Sequence, residues 1–155
     1  MEAVDERTIA RVNHLFFYSH LLRKAVLDAR EQQESRNSSP SGGNGHAHIS
    51  DPTATAAVKR ATPLKVVSIT TPQFGDEKVS RPECWLRVID KTFGCYKSLL
   101  AGECMRDRYV RHEKPETIMA KRGIGRTTYY AWRDEFLRDA VLLAVNEGLV
   151  YPKEV

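Results

Sequence analysis

Apolar residues recur along the first part of the chain at helical spacing. Leu15, Tyr18, Leu22, Ala25 and Ala29 follow one another at steps of three and four, and Ile9, Val12 and Phe16 widen the stripe toward the N-terminus. No Gly or Pro interrupts the run, so the spacing predicts one long amphipathic helix over about 4–34. Such a helix has to bury its stripe. Its partner is either the rest of the chain or the same helix of a second subunit, and about two clean heptads leave both readings open. Self-association through Leu15, Tyr18 and Leu22, giving a homodimer or higher oligomer, is one expectation.

The pattern then changes. SRNSSPSGGNGHAHIS, over 35–50, is small and polar, with too little apolar surface to offset ordering entropy, and is expected to be a flexible linker. His46 and His48 alternate there without the further ligands a metal site requires, so no metal is expected. Ser50-Asp51-Pro52 reads as a helix start, and that helix ends before Pro63. LKVVSITTP is β-branched and fits an extended segment or one short strand. With no second obvious strand, a sheet is not expected, and QFGDEKVSRP reads as a turn-rich connector. Pro82 opens a helix carrying Trp85, Leu86, Ile89 and Phe93, closed by Gly94. The expected fold class is all-α: an N-terminal amphipathic helix over 1–34, a linker over 35–50, and a helical domain over 51–155.

Three helices separated by two tight breaks are predicted between Tyr96 and Asn146. The first covers about 97–112, with Leu100, Cys104 and Tyr109 on its inner face. The second opens at Pro115, with Glu116 beside the helix dipole, and stops at Gly123. The third opens at Arg126. A helix, a glycine turn holding Ile124, and a second helix make the layout of a helix-turn-helix, here at about 115–146. On the third helix Tyr129, Trp132, Phe136, Ala140 and Leu143 share a face and are expected in the core, together with Ile118 and Ile124. Thr127, Tyr130, Ala131 and Asp134 point the other way, Arg126 leads the first turn and Arg133 lies at the border. Arg, Thr and Tyr near a helix N-terminus suit contact with base edges and phosphates.

Charge sharpens this reading. The 155-residue chain carries 24 Lys and Arg against 20 Asp and Glu, a net charge of only +4. Between Lys97 and Arg133, however, nine Lys and Arg face four acids, a local excess of +5. The excess is concentrated as a nucleic-acid footprint would be. The expected DNA contacts are Arg126, Thr127, Tyr130, Arg133, Arg122, Lys121 and Lys114.

The stretches SDPTATAAVKRAT, PECWLRVIDKTF and RYVRHEKPETIMAKRGIGRTTYYAWRDEFLRDAVLLA resemble phage-encoded transcriptional activators of the RinA and ArpU type. The resemblance covers about 50–150. It implies a C-terminal helix-turn-helix like region 4 of sigma factors, promoter DNA as partner with RNA polymerase as a further one, and regulation of late or packaging genes in a bacterial host. The chain departs from that pattern at Met119, where a small Ala is usual, at Arg122, where Leu is usual, and at Gly125, where Ser usually caps the third helix.

Other classes find less support. A packaging subunit like a small terminase, or an adaptor docking on RNA polymerase, would use the same layout and remain alternatives. No run approaches the roughly 18–20 apolar residues of a membrane span. MEAVDERT is acidic where a secretory signal is basic, so the cytoplasm is the expected location. Cys84, Cys95 and Cys104 are odd in number and irregular in spacing, as reduced thiols. Cys104 lies near Arg106 and Arg108, but no phosphate loop, metal-spaced Cys/His set or Gly-x-Ser-x-Gly accompanies it, so neither an enzyme nor a cofactor is expected.

Overall fold

The computed structural model describes residues 5–37 and 62–151. Among these the chain forms six helices and one hairpin: α1 (Glu6–Phe17), α2 (Ser19–Asn37), β1 (Val66–Thr71), β2 (Gly75–Ser80), α3 (Pro82–Cys95), α4 (Leu100–Tyr109), α5 (Pro115–Arg122) and α6 (Arg126–Asn146). His46, His48 and the helix expected to open at Ser50 lie outside the described residues, as does the expected linker beyond Asn37.

The N-terminal stripe forms two helices rather than one. Tyr18 leaves the helical region (φ −102°, ψ 22°), and the chain restarts at Ser19. The cause is tertiary. α1 packs on α4 and α6, whereas α2 packs on β1 and α3, and the break lets each half face its own partner. The same packing consumes the stripe. Leu15 is 1% exposed and Leu22 is fully buried inside the one chain, so neither is available to a second subunit. Tyr18 is half-buried, with its ring edge-on to His14 at 4.9 Å.

A sheet is present where none was expected. β1 and β2 pair antiparallel, with Val67 opposite Val79 and Ile69 opposite Glu77. Burial alternates along β1, with Val67, Ile69 and Thr71 inward against α2, but on β2 only Val79 is buried. The apolar signal of the second strand is therefore a single residue. Gly75, at φ 64°, closes the three-residue loop in the left-handed conformation that such hairpins require.

Phe136 of α6 is the hub of the core. Its ring lies 5.4 Å from Phe16 of α1, 5.1 Å from Phe93 of α3, 5.1 Å from Tyr96 and 5.9 Å from Tyr109 of α4. Offset and edge-on rings at these distances add to the area they bury. The buried face of α6 is turned from the expected one. Tyr129, Phe136 and Ala140 are inside as expected, but Leu137, Val141 and Ala144 join them, and Trp132 and Leu143 are half-buried. On α4, Cys104 and Tyr109 are buried, whereas Leu100 is 47% exposed and Gly102 holds an inner position. A Cβ on Gly102 would stand 2.0 Å from the Tyr96 carbonyl oxygen, so only glycine allows this approach. No described helix is long and apolar enough to cross a membrane.

Candidate nucleic-acid interface

α5, its turn and α6 have the expected boundaries. Pro115 sits in the first turn of α5, which ends at Gly123 in the left-handed conformation (φ 65°). The Gly123 and Ile124 N–H groups both donate to the Met119 carbonyl, closing the helix as a glycine C-cap does. Ile118 is fully buried, and Ile124 and Met119 are half-buried against the core. Gly125 precedes α6 with no side-chain cap. The first turn of α6 therefore emerges with free backbone donors and an exposed surface made of Arg126, Thr127 and Thr128.

Tyr130 is placed differently from the sequence reading. It is half-buried, and its ring is flanked by two guanidinium groups, Arg126 at 5.0 Å and Arg133 at 4.8 Å from the centroid. Arg133 lies along the inward stripe between Tyr129 and Phe136. Its Nε is buried without a hydrogen-bond partner, while an Nη lies 3.4 Å from Asp134. The hydroxyl of Tyr129 is likewise buried and unpartnered. Cation–π attraction thus holds two positive charges at the mouth of the motif. Arg126 forms no ion pair among the described residues.

Lys121 and Arg122 occupy a different environment from Arg126. Both are drawn to Asp107 of α4, whose side chain is fully buried. Arg122 donates to it through Nε at 2.9 Å and Nη at 3.3 Å and lies 3.7 Å from Glu103. Lys121 reaches Asp107 at 3.3 Å and both Glu113 oxygens at 2.9 Å, and Arg111 also donates to Asp107. Burial pushes the Asp107 carboxyl up, but hydrogen bonds from Arg122, Arg111 and Lys121 outweigh it and hold the group below its ordinary range. Arg108 donates to the Glu113 carbonyl at 3.1 Å and covers the Phe17 ring, tying the 110–114 connection to α1. Arg122, where the resembled pattern has Leu, is thus a positioning residue that locks α5 onto α4. Lys114 precedes α5 and is exposed.

Neither Asp107 nor Arg108 is among the contacts expected from the sequence. The available signal was an acid inside a basic run with Arg at i+4, an arrangement that also fits an ordinary solvated pair. Cys104 is fully buried near Arg122, and burial pushes its thiol up. Among the described residues, no group of three or more His, Cys, Asp or Glu is arranged to hold a metal ion.

Compared with protein-family models, with curated proteins and with solved structures, the chain matches none.

Proposed function

We propose that the protein is a sequence-specific DNA-binding transcriptional regulator that reads duplex DNA with the first turns of α6. The observation that carries this reading is the cluster of Arg126, Tyr130 and Arg133 beside exposed Thr127, at the start of a helix that follows a glycine turn. Helix N-termini direct N–H groups at phosphates, and an Arg in the first turn can address a guanine edge. Exposed Lys114, just before α5, is the backbone contact in this reading, while Lys121 and Arg122 brace α5. Activation of phage late or packaging genes, with contact to RNA polymerase, extends the reading through the resemblance of about 50–150 to RinA- and ArpU-type activators.

The test is a salt series of binding constants on a selected duplex and on random duplexes. Arg126→Ala should cost ~1–3 kcal/mol on the selected duplex and relax discrimination at one position. Lys114→Ala should weaken all sequences alike and lower the salt slope by about one. Wild-type binding by a folded Arg126→Ala, Tyr130→Ala double variant would remove α6 as the reader.

A further inference from the structure

A second positive surface lies away from the helix-turn-helix, beside the C-terminal end of α6. α1, β2, the start of α3 and residues 148–151 border an open cleft of about 570 Å³. Four cations line it, Arg7 and Arg11 from α1, Lys78 from β2 and Arg81 just before α3, and Thr8 and Ser80 are also in its lining. No carboxylate is among its described lining residues. Arg11 is partly neutralised by Glu77 at 3.1 Å, but Arg7 and Lys78 form no ion pair among the described residues.

Arg81 gives the cleft a fixed element. Its backbone is left-handed (φ 50°), a strained conformation for a residue with a Cβ. Its guanidinium is locked by donation to the carbonyls of Glu147 at 2.9 Å and Gly148 at 3.1 Å. Both acceptors are neutral, so its charge has no counter-ion there. The Glu147 carboxylate is engaged elsewhere, by Lys91 at 3.1 Å and Arg87 at 3.5 Å. Arg11 and Arg81 thus have partners within the fold, whereas Arg7 and Lys78 bring positive charge to the same cleft with no ion pair among the described residues.

We propose that this cleft binds a phosphate-bearing anion, with Arg7, Lys78 and Arg81 as its principal contacts and Thr8 and Ser80 donating to its oxygens. Two sources share that chemistry, a free phosphate compound and the backbone of a nucleic acid. The proposal does not depend on α6 being a DNA reader. α6 has 21 residues and is ~30 Å long, so its two ends are separate surfaces.

The experiment titrates the full chain with inorganic pyrophosphate at constant ionic strength, read by thermal shift and calorimetry. A saturable stabilisation is expected in the wild type. It should be lost in Arg7→Gln/Lys78→Gln, whose exposed side chains leave the fold intact, and retained in Lys24→Gln/Lys97→Gln, which has the same net charge. It should also survive Arg126→Ala. Absence of saturable binding, its survival in the Arg7/Lys78 variant, or an equal loss in the Lys24/Lys97 control would each overturn the proposal. A parallel salt series on random duplex separates the sources. A slope reduced by about two in the Arg7/Lys78 variant assigns the phosphate to nucleic-acid backbone, whereas an unchanged slope with pyrophosphate binding lost assigns it to a free phosphate compound.

Discussion

The two ends of α6 are held by opposite physics. From Phe136 onward the helix is fixed by apolar packing, with aromatic rings from α1, α3 and α4 closing on one side chain. Its first turns, and α5 beside them, add a clamp of charges to the apolar contacts of Tyr129 and Ile118. Asp107 gathers Arg111, Lys121 and Arg122, and two guanidinium groups flank Tyr130. Apolar packing responds little to pH or salt, whereas a charged clamp responds to both. The body of the molecule and the orientation of its helix-turn-helix should therefore be separable by experiment.

The largest expected effect is at the hub. Phe136→Ala removes a fully buried ring in contact with four others and should cost ~3–5 kcal/mol. That is a large share of the ~5–15 kcal/mol that stabilises a domain, and the melting temperature should fall by on the order of 10 °C. Because the hub joins α1, α3, α4 and α6, the loss should be global, with near-ultraviolet circular dichroism and helicity falling in one transition. Loss confined to 115–130 would show that Phe136 does not hold the body of the molecule together.

Asp107 comes next and should act locally. Asp107→Ala removes the one buried carboxylate that three partly solvated cations share and should cost about 2 kcal/mol, because Arg111 and Lys121 can turn to water. Hydrogen exchange should quicken over α5 and the first turn of α6, while 136–146 stays protected. The clamp also has a defined pH dependence. The folded-state pKa of Asp107 lies below its ordinary value of 3.8, so its stabilisation is complete above that value and is lost as pH falls through the folded-state pKa. The stability difference between wild type and Asp107→Asn should therefore narrow as pH is lowered below 3.8. A gap that stays constant in that range would mean that shape, not charge, holds α5.

Much of the C-terminal half was legible in the sequence because its signals are local. Pro82, Pro115 and Gly123 mark helix ends by backbone chemistry that needs no tertiary partner, and the structure places α3, α5 and α6 within a residue of the expected bounds. The N-terminal half was less legible because its decisive contacts are distant in sequence. The break at Tyr18 serves two different partners, and β2 offers one buried residue, Val79, among charged ones. Within the candidate interface, residue types were readable but partners were not. Nothing local distinguishes the exposed Arg126 from Arg122, which a buried carboxylate 15 positions away holds in place. The buried face of α6 differs from the expected one for a related reason. Arg133 interrupts the inward stripe between Tyr129 and Phe136, so an apolar count favours Trp132 and Leu143 over Leu137 and Val141.

That interruption carries the smallest prediction. Tyr129 is fully buried, yet its hydroxyl has no hydrogen-bond partner, and burial pushes its pKa up. Leaving a buried hydroxyl unpaired costs ~1–3 kcal/mol, and replacing it with hydrogen removes that cost without opening a large cavity. Tyr129→Phe should therefore stabilise the chain by about 1 kcal/mol, read as a higher denaturant midpoint at unchanged slope. Tyr109 is the internal control. Its hydroxyl donates to the Asn13 side-chain oxygen at 2.6 Å, so Tyr109→Phe leaves that acceptor unpaired and should destabilise by a similar amount. Opposite signs for two buried tyrosines on facing helices would show that hydrogen-bond satisfaction, rather than ring packing, divides the charged end of α6 from the aromatic one. Equal losses at both sites would instead mean that the Tyr129 hydroxyl is satisfied, and the boundary between the two regions would move toward the first turn of the helix.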